Sequence, residues 1–482
     1  MLKNTKRFTF AALLAVSALA TTAGAAQASK TQESIFQDDR VLVSSGPGVQ
    51  TSALDQLQAL GVDTIHSLVF WNKIAPSSDS SKKPSFDASN PAAYPAGTWD
   101  AYDDLVRGAK ARGIDLLLSP TGKSPSWANG CRGKANCQPS AKEFGAFVKA
   151  VAKRYSGTYH DENQGGGTLP KVGRWSIWNE PDQGGWIFPQ RKSGVVYSAK
   201  IYRDLYTAGY SALKATGHGR DKIYIAETAP VRGGVATAPV EFLQALFCID
   251  KNGRKLRGKA AKTLGCTKYK TLKFTAVAHH PYNRGAGGPP LKKPKTAGDI
   301  TLATLDRLFT VLKQAKRAHR ISGSTSSVYF TEYGIQSRPP EQKFGVPLTQ
   351  HAAQLNQAEY VGYNDRRVKS FSQYELFDEP DVGTFNTGLL FTNGTAKPAL
   401  AAYRLPIYAV KSGSKVKLWG AVRPGNGSRS VDVLAGGKKV KTVTVRGAGY
   451  FTTTVSKASS YQLSATIGGQ TFKSRVAKAA SR

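Results

Sequence analysis

Between about Arg40 and Arg404 the chain alternates two kinds of segment. The first kind is a short, continuous apolar run. Eight of these occur: Val41–Ser44, Thr64–Trp71, Asp115–Ser119, Gly173–Trp178, Ile223–Ala226, Thr275–His279, Val328–Thr331 and Ser370–Leu376. Uninterrupted apolar runs mark parallel strands that are covered on both faces. The second kind repeats its apolar residues every three or four positions. Ser140-Ala141-Lys142-Glu143 has the form of a capping box and opens a segment with Phe144, Phe147, Val148 and Val151 on one face. Leu302, Leu305, Phe309 and Leu312 form a similar stripe. Eight strand-then-helix units predict an α/β fold, a (β/α)8 barrel. The alternative is an open doubly wound sheet. That fold usually carries a GxGxxG turn after its first strand, and none is present there.

After about Leu405 the pattern changes. From Val416-Lys417-Leu418-Trp419 onward, short alternating runs are punctuated by Gly425, Gly427, Gly436-Gly437, Gly447, Gly449 and Gly468-Gly469. This predicts a small C-terminal β-sandwich. At the other end, Lys3, Lys6 and Arg7 precede an apolar run from Phe8 to about Ala20, and Ala26-Gln27-Ala28 offers a small-x-small cleavage pattern. That is the form of a secretory signal, too short for a bilayer span of about 20 residues. The expected division is 1–28 signal peptide, 29–404 barrel and 405–482 sandwich. With no later apolar stretch of spanning length, a secreted product, extracellular or wall-associated, is expected.

The four cysteines fit an oxidising compartment. Of the three possible pairings, the sequence-local one is expected: Cys131 with Cys137, and Cys248 with Cys266. No CxxC cluster suggests a metal site, so neither a metal nor a cofactor is expected. The formal charge is +35, or about +32 without residues 1–28, which hold three Lys/Arg and no acid. Residues 405–482 alone carry fourteen Lys/Arg against one acid, Asp432. Such a field attracts polyanions. No nucleic-acid motif accompanies it, so an anionic cell-wall polymer is the expected contact, or else the charge is a general surface adaptation. A monomer is expected.

In a (β/α)8 barrel, reactive groups stand where strands end. The second run ends in Trp71-Asn72 and the third leads to Ser124, Pro125 and Trp127. The fourth ends in Asn179-Glu180, the fifth in Glu227-Thr228, and the sixth in His279-His280-Pro281-Tyr282. The seventh ends in Thr331-Glu332-Tyr333 and the eighth in Tyr374-Glu375, with Asp378 and Glu379 beyond. Isolated carboxylates and aromatic rings thus converge on one rim. Glycosidic bond cleavage needs that combination. One carboxylic acid protonates the leaving oxygen, and a carboxylate on the opposite face captures or stabilises the cationic carbon. Aromatic rings offer flat surfaces to sugar C–H faces. Trp71, Trp127, Trp186 and Tyr374 are the candidate rings. Trp127, Trp178 and Trp186 would serve equally well as core, so only one or two are expected to touch sugar. Glu227 suits a supporting acid, and His279 suits the barrel wall, because side chains alternate along a strand.

WNEP after the fourth strand and a Glu ending the seventh, in FTEYG, resemble the clan A glycoside hydrolases. The SPSWA turn and the GLLFTNGTAKPALAAY segment are similar to family 39 and to some family 5 members. The resemblance covers roughly residues 40–405. It implies a retaining β-glycosidase acting by double displacement, with Glu180 as general acid/base and Glu332 as nucleophile. Asn179 would bind the substrate 2-hydroxyl, and His280 and Tyr282 would tune the nucleophile and contact the sugar. Retention implies carboxyls about 5–5.5 Å apart, and an acid at Glu180 implies a raised pKa there. The chain departs from the pattern at strand two, where many members carry an Arg five residues before a Trp. Counting back from Trp71 gives His66. The usual strand-eight Trp is replaced by Tyr374 or Phe377. Polysaccharide hydrolysis in an endo mode is the expectation. The alternatives are a carbohydrate-binding or cell-wall protein on a degenerate hydrolase barrel, and a basic adhesin whose tail does the main work.

Overall fold

The computed structural model describes residues 31–481 apart from 132, 135, 164, 232–234, 383–384 and 426. The expected signal peptide, 1–28, lies outside the described residues. Eight parallel strands close into a barrel in chain order: β1 (Glu33–Gln37), β2 (Thr64–Phe70), β3 (Asp115–Thr121), β4 (Arg174–Ser176), β5 (Lys222–Thr228), β6 (Ala276–His279), β7 (Val328–Phe330) and β8 (Val368–Tyr374). β1 pairs with both β2 and β8, which completes the ring. Ile35, Leu117, Tyr224, Ala276, Ala278 and Tyr329 fill the lumen, where the Tyr224 and Tyr329 rings stack at 4.4 Å. The barrel is therefore a packed core with its chemistry confined to the ends.

The first strand is not where the apolar run places it. Val41–Ser44 lies in a tight helical turn, Arg40–Ser44, whose Val41 and Leu42 are buried in the layer between strands and helices. The strand is Glu33–Gln37, a mixed segment that the pattern passed over. The buried Asp38 explains the arrangement. Its carboxylate accepts from the Val41, Leu376 and Phe377 amides at 3.3, 3.1 and 3.3 Å, tying the turn to the end of β8. β4 is also shorter than expected, ending at Ser176.

Helices α1 (Pro47–Ala59), α2 (Asp100–Ala111), α3 (Ala141–Arg154), α4 (Ser198–Ala215), α5 (Pro239–Leu246), α6 (Asp306–Arg317) and α7 (Leu348–Tyr363) surround the barrel. Ser140 caps α3 by accepting from the Glu143 amide, while the Glu143 carboxylate pairs with Lys83 instead of closing the box. Both sequence-local disulfides are present, Cys131–Cys137 and Cys248–Cys266.

Seven antiparallel strands follow: β9 (Ile407–Ser412), β10 (Lys415–Ala421), β11 (Arg429–Ala435), β12 (Lys438–Val445), β13 (Tyr450–Ser456), β14 (Tyr461–Ile467) and β15 (Gln470–Lys473). They form two sheets, ordered β9-β10-β13 and β12-β11-β14-β15, around a second apolar core. This sandwich packs against α7. Arg423 reaches across to the buried Glu359 carboxylate and donates to the Tyr403 carbonyl at 2.7 Å, and the Tyr450 hydroxyl donates to Glu359 at 2.9 Å. Trp419 packs on Tyr360 and Tyr363 beside this pair. None of the described helices is long and apolar enough to cross a membrane.

Candidate active site

The cleft at the C-terminal ends of the strands has a volume of about 360 Å³. Of the residues singled out in the sequence, Asn179, Glu180, Trp186, Glu332 and Tyr374 line it. The backbone that delivers Glu180 is strained. Trp178 and Glu180 hold φ of 68° and 36°, and Ala226 and Glu227 on β5 hold 84° and 45°. Such conformations cost of order 1–3 kcal/mol each and persist where surrounding contacts over-determine them. Here the Trp178 amide donates to the Pro120 carbonyl at 3.0 Å, Asn179 N–H to the Thr121 hydroxyl at 2.9 Å, and Glu180 N–H to the Glu227 carbonyl at 3.1 Å. The loop after β4 is thus clamped between β3 and β5.

His280 lies buried between the two carboxylates. Its Nδ1 is 2.9 Å from Glu180 Oε1 and 3.4 Å from Glu332 Oε2, and its Nε2 is 3.1 Å from the Thr331 hydroxyl. Tyr282, buried and stacked on Tyr333, donates its hydroxyl to Glu332 Oε2 at 3.4 Å. One oxygen of Glu180, one of Glu332 and an imidazole nitrogen all lie within 4.8 Å of one another. Among the described residues this is the one trio that could hold a metal ion. Both His280 nitrogens already have partners, however, so neither offers a free lone pair without breaking a hydrogen bond.

The electrostatics add a feature that the local sequence does not show. The Glu332 carboxyl is pushed up to about 7. Burial is the main cause; the Glu180 charge adds to it, and His280 and His66 oppose it. The Glu332 side chain is 10% exposed, whereas the Glu180 side chain keeps 20% of its surface in contact with solvent. Burial alone would strip His280 of its proton, but the Glu332 charge and the contacts to Glu180 and Glu227 hold its pKa well above the usual histidine range.

Strand two ends in a different arrangement from the arginine pattern. His66 does not touch Glu332. Its Nε2 is 3.1 Å from Glu227 Oε1 and 2.9 Å from the Ser119 hydroxyl. Glu227 is wholly buried, and its charge raises the His66 pKa against the effect of burial. His279 faces the wall, bonded to the Thr228 hydroxyl at 2.9 Å and the Ile300 carbonyl at 2.8 Å, and burial holds its pKa down to about 3.

The tryptophans separate. Trp186 is at the cleft, on a loop held by Asn136 within the Cys131–Cys137 segment, whose amide donates to the Gly185 carbonyl. Trp71 is 1% exposed and packs among Phe144, Phe147 and Trp127 in the core. Trp127 packs partly against that cluster and otherwise faces a separate rim cavity of about 670 Å³ with Lys123 and Lys134. Lys292, Lys293 and Lys295 are exposed in the loop after β6.

Four cleft residues escaped the sequence reading: Gln37, Asp39, Arg40 and Phe385; Glu375 and Glu379 line the cleft at and beyond the end of the eighth run. Gln37 ends β1, which was misplaced, and Asp39 and Arg40 follow it. Phe385 sits beyond β8 with its ring edge-on to Tyr374 at 5.3 Å, and only its 38% exposure marks it as a surface ring. Among the described residues the lining carries five carboxyls (Asp39, Glu180, Glu332, Glu375 and Glu379) against one guanidinium, Arg40. Glu375 is held neutral, its pKa raised to about 11 by burial and by the charges of Asp38 and Glu379. A larger cavity, about 710 Å³, lies at the opposite end of the barrel against Pro424 and Gly447 of the sandwich. There Arg174 is already occupied by Glu33 and Asp115. In such barrels that end serves stability.

No protein-family model and no curated protein matches the chain. Solved structures do. A glucosidase from Croceicoccus marinus superposes with a TM-score of 0.54 at 13% identity, covering 90% of this chain and 95% of that one. A GH30 endoxylanase from Clostridium papyrosolvens gives 0.46 at 11% identity, covering 94% and 98%. An endo-β-1,4-mannanase from Thermotoga petrophila gives 0.45 at 12%, covering 95% and 98%. At this identity the first likeness shows a shared (β/α)8 architecture.

Proposed function

We propose that the protein is a secreted, retaining β-glycoside hydrolase that cleaves a polysaccharide by double displacement. The observation that carries this reading is the meeting of Glu180 and Glu332 across one cleft, with oxygens within 4.8 Å. That spacing accords with a nucleophile attacking the anomeric carbon directly. An inverting pair needs about 6.5–9.5 Å to admit a water. In the proposed cycle Glu332 attacks the anomeric carbon while Glu180 gives its proton to the leaving oxygen. Glu180, now ionised, then takes a proton from the water that releases the sugar. Asn179 lines the cleft beside Glu180, and among the described residues its buried side-chain oxygen has no hydrogen-bond partner. Trp186, Tyr374 and Phe385 supply the ring surfaces, and the printed names of the structural neighbours, a glucosidase, an endoxylanase and a mannanase, accord with a carbohydrate substrate.

The acidic lining argues for a neutral glycan in the cleft, with the basic exterior as a separate contact for an anionic wall polymer. The sandwich, 405–482, is then an accessory domain to a 29–404 catalytic domain. The test is a polysaccharide digestion screen with product analysis, run on wild type, Glu180→Gln and Glu332→Gln. Release of sugars by wild type and loss in both variants is expected. Turnover retained in both variants would overturn the reading. A wild type that binds glycans without cleaving them would favour the degenerate-barrel alternative.

A further inference from the structure

Glu227 has no contact with the cleft, yet it is a fully buried carboxylate directly beneath it. A register shift between Ala226 and Thr228, with both Ala226 and Glu227 at positive φ, re-aims this residue into the barrel. Its Oε2 accepts from the Ser176 and Ser119 hydroxyls at 2.7 and 3.2 Å. Its Oε1 faces His66 Nε2 at 3.1 Å and His280 Nε2 at 4.0 Å. It therefore joins the imidazole within strand two to the imidazole that touches both Glu180 and Glu332.

The charged and titratable groups facing His280 come from the neighbouring strands and the loops after them: Glu180 and Asp182 after β4, Glu227 on β5, His279 on β6 and Tyr282 after it, Glu332 after β7, and His66 on β2 through Glu227. Among the described residues no lysine or arginine pairs with Glu332; the cation they bring within reach of its carboxylate is His280. A buried imidazolium needs a counter-charge on its far side when one neighbouring carboxylate takes up a proton or is consumed by a covalent bond. Glu227 is placed to supply that charge, and the two serine hydroxyls that donate to it and the facing His66 favour its ionised form.

We propose that Glu227 is a positioning residue that keeps His280 and His66 protonated, so that His280 serves as the cation beside Glu332 that a strand-two arginine would otherwise provide. The catalytic consequence rests on the glycosidase reading; the charge arrangement does not. Two readouts separate them. The first is 15N NMR of the imidazoles, assigned with His66→Gln and His280→Gln. In wild type both His280 nitrogens remain protonated at pH 7.5, and in Glu227→Gln the His280 midpoint falls below that pH. An unmoved His280 midpoint overturns the proposal. The second is the pH profile of kcat/KM. With His280 neutral, Glu332 ionises later, so the acid limb moves up by about one pH unit and the rate at pH 6 drops about tenfold. A uniform loss with the limb in place shows a merely structural role and overturns the catalytic consequence. A shifted His280 midpoint in a protein that hydrolyses nothing upholds the charge arrangement and sinks the glycosidase reading. Should Glu227→Gln fail to fold, Ser119→Ala combined with Ser176→Ala removes two hydroxyl donors from the same carboxylate. It is expected to move the His280 midpoint in the same direction, and no movement there overturns the proposal.

Discussion

Replacing Glu332 by Gln is expected to make the protein more stable above neutral pH while abolishing its activity. The carboxyl goes from an ordinary value of 4.5 to about 7 in the fold, chiefly through burial. Each pH unit of such a change is worth about 1.4 kcal/mol, so the full effect is about 3 kcal/mol. The sign follows from where the proton is held. Below pH 4.5 the carboxyl is neutral in both states, and the substitution changes little. As pH rises through 7, the unfolded chain has already released its proton, whereas the fold resists doing so, and the wild type loses stability. Glutamine has nothing to release. At pH 8.5 the variant is therefore about 3 kcal/mol more stable, and at pH 4.5 the two are nearly equal. For a barrel of this size that amounts to roughly 3–4 °C in Tm. Scanning calorimetry of both proteins at the two pH values measures it. A variant that is equally or less stable at pH 8.5 would refute the claim that burial strains this carboxylate.

Glu180→Gln should reduce hydrolysis of unactivated glycosides by at least about a thousandfold, and less for substrates whose leaving group needs no protonation; a leaving-group series compares the two. Trp186→Ala should raise KM with the fold intact, whereas Trp71→Ala should cost about 3–5 kcal/mol of stability because it opens a cavity among Phe144, Phe147 and Trp127; Tm and KM separate the two. Arg423→Met leaves Glu359 buried without its partner and should destabilise the chain by about 3–5 kcal/mol, read by denaturant melts. For that reason, anionic-polymer binding is better tested by Lys438→Gln, Lys439→Gln and Lys441→Gln on exposed β12 than by deleting the sandwich. Weaker retention on an anionic polymer with unchanged hydrolysis is the expected result.

The continuous apolar runs located strands two to eight because both faces of each are covered. They failed at strand one for a physical reason. Glu33–Gln37 contains Glu33, whose carboxylate pairs with Arg174 and Lys222 at the barrel floor, and Gln37, which ends at the cleft. Its polar residues serve the two barrel ends, and the neighbouring Val41-Leu42-Val43 imitates a strand while packing in a turn. Glu180 and Glu332 were legible because they end strands. Arg40 and Phe385 were not, since their place depends on loop paths that no periodicity encodes. The partnership of His66 with Glu227 depends on a bulge in β5, and Glu227-Thr228 carries no glycine or proline to announce one. Burial also raises Glu332, and burial is a property of the closed barrel, absent from the local sequence FTEYG.

The claim that two strand-end carboxylates perform a double displacement is tested most directly by trapping the covalent intermediate. Wild type is incubated with a panel of 2-deoxy-2-fluoro β-glycosides bearing good leaving groups, digested, and mapped by mass spectrometry. The account predicts a single fluoroglycosyl adduct on Glu332, in the peptide containing FTEYG, and none in Glu332→Gln. An adduct on Glu180, or rapid hydrolysis of natural substrate with no adduct from any member of the panel, would contradict it.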